Sequence, residues 1–202
     1  MYIIDKQGRI CQGDLYNNFL FLEYDEKEDN LDFSIIDYAF VLSQECDLKW
    51  DYEGHNFTKI KYNQFLNSVL CCPAYRSLDL REGTYFDQDE TEIKMHYFGK
   101  EDSTSWKHVK QNSNPRYHFL RQFKVNEITI PELVLDFKHY YSVPRDLFYH
   151  YRKKAIYKAR LNVPFRELVS QRFAYFISRI GEPDLINNVN EIDCDLDPCF
   201  TE

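Results

Sequence analysis

Cys46 and Asp47 stand side by side where a buried strand is expected to end. A thiol in that position is a nucleophile if an imidazole can take its proton. His118 falls on a later expected strand and Asp136 on the one after it. Cys46, His118 and Asp136 therefore form a chemically coherent set of thiol, base and orienting carboxylate. The adjacent Asp47 works against it, because a nearby negative charge raises a thiol pKa. His118 also ends a second group, Asn112-Ser-Asn-Pro-Arg-Tyr-His. Here a loop delivers Arg116, Tyr117 and His118 onto a strand. Arg116 offers a fork for phosphate or carboxylate, Tyr117 a stacking face and His118 a switchable donor. The plainer readings are a packed thiol, and a turn leading into a half-buried aromatic strand.

Metal chemistry has less to work with. Cys46, Cys71 or Cys72, and His118 offer sulfur and nitrogen, but no Cys-x-x-Cys or His-x-x-x-His spacing occurs. Cys194 and Cys199 approach zinc spacing without nearby partners. No metal site and no cofactor are expected. With no basic-then-apolar leader at the N-terminus, the six cysteines read as reduced thiols of a cytoplasmic protein.

The elements that must position these groups read as α+β. Strands are expected at 2–4, 18–24, 35–43, 57–62 and 68–73, the last stopped by Pro73. The run 35–43 is apolar nearly throughout, which implies burial on both faces. Residues 76–115 read as an insertion, with a helical piece at 90–98 ended by Gly99 and a loop at 100–115 anchored by Trp106. Strands resume at 117–123 and 132–141, and Pro144 opens a helical turn. Short strands joined by moderate loops imply a small curled β-barrel. The strongest helix spans 163–181. Phe165, Leu168, Val169, Phe173, Phe176, Ile177 and Ile180 recur at three- and four-residue steps and must pack on the sheet. One barrel domain over 1–181 and an acidic, partly disordered tail over 182–202 complete the expected organisation.

Composition excludes several classes. Hydrophobic residues make up 44% and aromatics 17%, enough for a packed core, so global disorder is excluded. Mean hydropathy is -0.59, and no apolar run is long enough to cross a membrane. The net charge of -8 is uneven. Residues 150–181 hold eight basic residues against Glu167 alone, whereas 182–202 hold seven acidic residues and no Lys or Arg. Such a stretch is ordinarily a solvated face. Its sharper reading is a contact for nucleic acid or an acidic protein through Arg160, Arg166, Arg172 and Arg179, together with Arg116 and Tyr117.

Two resemblances bear on function. Gln12-Gly-Asp-Leu, followed by Phe40-Val-Leu-Ser and then Ser68-Val-Leu-Cys-Cys-Pro, resembles the opening of the SH3-like barrels of the MazF/PemK toxin group. The Arg-Pro pair that serves RNA cleavage in that group is replaced here by Ile36-Asp-Tyr-Ala-Phe. The resemblance thus implies the barrel without that arginine. The segment from Lys158 to Pro183 resembles the C-terminal helix of uncharacterised bacterial proteins associated with mobile and defence loci. Together they imply a non-catalytic binding or adaptor subunit of a defence or toxin–antitoxin system. Its partner would be a protein encoded nearby, with RNA or DNA as a further ligand, no membrane contact, and homodimerisation through an exposed strand edge. The alternatives are a metal-independent ribonuclease using Arg116 and His118, or a thiol or metal centre at Cys46.

Overall fold

The computed structural model describes residues 1–5, 8–25, 29–56, 64–84 and 97–179. Among these the elements run β1 (Tyr2–Ile3), β2 (Asp14–Asp25), β3 (Asn30–Val41), α1 (Glu45–Asn56), β4 (Ser68–Arg76), α2 (Ser77–Glu82), α3 (Thr104–Lys110) and β5 (Tyr117–Leu120). They continue with β6 (Phe123–Val125), β7 (Ile128–Ile130), β8 (Leu133–Asp136), β9 (Tyr141–Pro144), α4 (Arg145–Tyr151), β10 (Ile156–Leu161) and α5 (Phe165–Ile177). The architecture is α+β: a curled, antiparallel half-barrel sheet with helices packed on it. The main sheet runs β1-β10-β2-β3-β4-β8-β5 with β9 also on β4, and β6–β7 form a separate hairpin. The curl is built around β4. Its first residues pair with β9, as Cys71 with Tyr141, and its last with β8, as Ala74 with Leu135.

Period-two alternation sorts the core onto two faces. Leu15, Tyr38, Phe40, Cys72 and Leu135 face the side covered by Val169, Phe173 and Phe176 of α5. Tyr16, Ala39, Val41, Val69 and Cys71 face the other side, covered by Leu48 of α1 and Phe148 and Tyr151 of α4. At the β8–β5 end that second side is closed by Leu80 of α2 and by Trp106 and Val109 of α3, packed on Tyr117, Phe119 and Val134. The C-terminal helix thus docks on the sheet through Val169, Phe173 and Phe176, but Phe165, Leu168 and Ile177 of the expected stripe stay exposed and Ile180 lies outside the described residues.

Several expectations are corrected. The run 35–43 is buried on both faces only from Tyr38 onward, and Ile35 is exposed. The strand at 68–73 does not stop at Pro73 but continues to Arg76. Pro73, which has no N–H to donate, falls at the step where the neighbour of β4 changes from β9 to β8. Cys46 and Asp47 do not end a strand, since β3 stops at Val41 and both lie in the first turn of α1. That helix buries Leu48, Asp51 and Gly54, so it has no apolar stripe to read. Trp106 is buried as expected, but on a helix; Ser103 Oγ caps α3 by accepting from Trp106 N–H at 3.3 Å. The run 132–141 is two strands joined by a 3-10 turn that Asp136 caps, accepting from Lys138 N–H at 3.0 Å. The basic stretch contains the interior strand β10. The terminal helix starts at Phe165 and ends at Ile177, short of 163–181. Gly99 has a left-handed φ of +81°, but Tyr97 and Phe98 before it are not helical, so it caps no helix among the described residues. The expected strand 57–62, most of the helical piece 90–98 and the tail 182–202 lie outside the described residues.

Candidate functional site

β5 and β8 bring Arg116, His118 and Asp136 together, but not as a triad. In the ladder Tyr117 lies opposite Asp136, and His118 opposite Leu135. Opposed residues share a face, so His118 and Asp136 project to opposite sides of the sheet. The carboxylate of Asp136, fully buried, is gripped by Arg116 instead: Nε donates to Oδ1 at 2.8 Å and the terminal nitrogen to Oδ2 at 2.6 Å. His139 Nδ1 lies 3.4 Å from Oδ2 and 3.0 Å from the Tyr75 hydroxyl. The Arg116 guanidinium also stacks 4.9 Å over Tyr117. His118 is 4% exposed, its Nδ1 lacks a hydrogen-bond partner, and its pKa is pushed down to about 3, first by burial and then by the charge of Arg172. It is a neutral core imidazole.

Cys46 is exposed, with Sγ 3.6 Å from both Gln44 Oε1 and Asp47 Oδ1. It stands beside a polar seam that the sequence did not disclose. Glu45 pairs with Arg9, accepts from Gln12 N–H at 2.9 Å and lies 3.6 Å from Arg166. The Gln12 amide donates to Leu42 O at 3.2 Å and Ser170 Oγ at 2.7 Å, tying the start of β2 to α5. Gly13 makes the approach possible. Its φ is +81°, and a Cβ there would lie 3.3 Å from both Arg166 Cβ and Leu161 Cβ. The one sequence signal for this seam was Gln12-Gly-Asp.

The basic candidates are largely engaged inside the fold. Arg160 donates to Asp14 Oδ1 at 2.7 Å, both side chains being almost fully buried. Arg166 pairs with Glu167 at 2.7 Å. Arg179 is exposed, but lies flat over Phe176 at 3.9 Å and donates to its carbonyl. Arg172 donates to the carbonyls of Asn112, of Asn114 at 2.8 Å and of Tyr117 at 2.8 Å. It thereby pins the loop before β5 to α5. Arg160, Arg166 and Arg172 are thus held by partners within the fold, while Lys153, Lys154 and Arg179 stay exposed.

What is open is a ribbon. Along residues 30–38 β3 pairs with β2 alone, and β4 joins only at Ala39, Phe40 and Val41. Among the described residues no strand covers the other edge of that run. Leu31, Phe33 and Ile35 alternate along it, 56%, 55% and 65% exposed. Comparison with protein-family models, curated proteins and solved structures found no match.

Proposed function

We propose that the chain is a binding subunit that docks a protein partner along the β2–β3 ribbon. The observation that supports this best is the edge of β3 along residues 30–38, where among the described residues no strand pairs opposite β2 and Leu31 and Ile35 stand exposed, while Phe33 packs on Tyr151. Free edge amides and carbonyls accept an added strand, while alternate side chains read its sequence. Covering the exposed half of each apolar side chain contributes about 1 kcal/mol apiece. The sequence 23–32 holds six acidic residues and one lysine. Self-pairing would set these charges against one another, so the edge favours an extended partner segment alternating apolar with Lys or Arg residues. In the setting implied by the C-terminal resemblance, that partner is encoded beside this chain in a bacterial defence or toxin–antitoxin locus.

A second reading, a metal-independent ribonuclease on a MazF/PemK-like SH3-like barrel, draws on the curled sheet, on His118 and Asp136 lying on paired strands and on Arg116 just before the first of them. It needs a base at the scissile phosphate. His118 is shielded and Asp136 is held by Arg116, so the geometry favours binding over cleavage. Titrating the purified neighbouring protein into wild type and Ile35→Lys by calorimetry tests the first reading. Ile35 is exposed, so the variant folds. A Kd at least ten-fold weaker is expected, and an unchanged Kd overturns the docking site. RNA left intact by wild type and by His118→Ala alike removes the second reading.

A further inference from the structure

On a flank of α5, beside its core-facing residues, a cleft of about 270 Å³ opens between the helix and the loop before β5. Ser113, Pro115, Leu168, Gln171, Arg172 and Tyr175 line it. Arg172 differs from three of the arginines that enter the fold. Arg116, Arg145 and Arg160 each meet a buried carboxylate, at 2.6–2.9 Å. Arg172 meets only carbonyls, and among the described residues no carboxylate pairs with it. A guanidinium has five N–H donors. Three of those on Arg172 are engaged, and the Nε–H is buried with no acceptor. Burial lowers its pKa, with no anion to oppose the effect. Arg172 is a half-buried cation without a counter-charge, and one of its terminal N–H groups is not engaged, so an anion entering the cleft it lines supplies the missing partner.

We propose that this cleft binds a small oxyanion, a phosphate or carboxylate, with Arg172 as the counter-charge and Tyr175 and Leu168 flanking the group that carries it. The volume lies just under the ~300–1,000 Å³ typical of small-molecule sites, so it suits a compact anion rather than a polymer chain. Leu168 and Tyr175 are respectively 45% and 65% exposed, which leaves the mouth open and gives an attached apolar or aromatic moiety a surface. Gln171 supplies an amide donor at the rim. This site is independent of the β2–β3 ribbon.

The test uses the full chain and follows the Arg172 Nε–H resonance and the thermal midpoint during titration with inorganic phosphate, with acetate, and with chloride at matched ionic strength. A saturable shift with phosphate or acetate, absent with chloride, is expected. Comparing the two arms assigns phosphate or carboxylate as the preferred group. Arg172→Met alone would be ambiguous, because that side chain also pins the loop. Gln171→Glu instead places a carboxylate at an exposed rim position and should weaken the Kd at least ten-fold while keeping the wild-type fold. Equal responses to all three anions, or an unchanged Kd in Gln171→Glu, overturn the proposal.

Discussion

His118 makes the fold sensitive to acid in a calculable way. Its imidazole is held neutral, with a pKa near 3 against 6.5 for an unperturbed histidine. The unfolded chain therefore takes up a proton below pH 6.5 that the folded chain refuses until pH 3. The stabilisation is fully present above pH 6.5 and is lost as pH falls towards 3. Between pH 7 and pH 5 the loss is about 2 kcal/mol, and each further unit down to the folded pKa removes about 1.4 kcal/mol more. The assay is urea unfolding at pH 7, 6 and 5 for wild type and for His118→Gln, which keeps a polar group but cannot titrate. Carboxylates and the other histidines contribute alike to both proteins, so the difference in slope belongs to His118. Wild type should lose about 2 kcal/mol more than the variant between pH 7 and pH 5. Parallel stability curves would refute the assignment of His118 as a buried neutral side chain, and would restore it as a candidate base.

Three further outcomes follow from the same packing. Asp136→Ala leaves Arg116 facing a carboxylate-free interior and removes the cap of the 3-10 turn; chemical denaturation should show a loss of about 3 kcal/mol, tempered by the partial exposure of Arg116. Gly13→Ala forces a Cβ into a left-handed position 3.3 Å from Arg166 and Leu161, and should cost about 2 kcal/mol in the same assay. Alkylation mapped by mass spectrometry should mark Cys46 at the rate of a free peptide thiol. Cys11, Cys71 and Cys72 should react at least ~100-fold more slowly, being buried and raised in pKa by desolvation, Cys11 to about 12. A Cys46 rate well above the peptide value would instead favour a nucleophile.

The sheet was legible where burial on two faces left dense apolar runs, as in the strands around Phe19, Phe40 and Val69, and α5 was legible from its three- and four-residue spacing. α1 was not, because the positions it buries include Asp51 and Gly54, whose value lies in a 2.7–2.9 Å pair with Arg145 and in close packing on Phe65 rather than in hydropathy. β10 was hidden because Lys158 and Arg160 read as surface charge, whereas Arg160 enters the core to meet Asp14. Local sequence does not reveal a partner 146 residues away. The same blindness applies to the proposed triad. Register decides which face a side chain takes, and the alignment of His118 with Leu135 instead of Asp136 separated base from carboxylate. Cys46, Asp47, Arg116, Tyr117 and the four basic candidates were picked by residue type. Their surroundings make most of them parts of the scaffold.

Hydrogen exchange along residues 30–38 tests the binding reading most directly. In the chain alone, the β3 amides that face away from β2 should exchange within the fastest class of strand amides. With a saturating concentration of the protein encoded beside it, those alternate amides should slow at least ~100-fold while the amides facing β2 stay as they were. Bound partner with no change at the open edge, or an edge already protected in the chain alone, would contradict it.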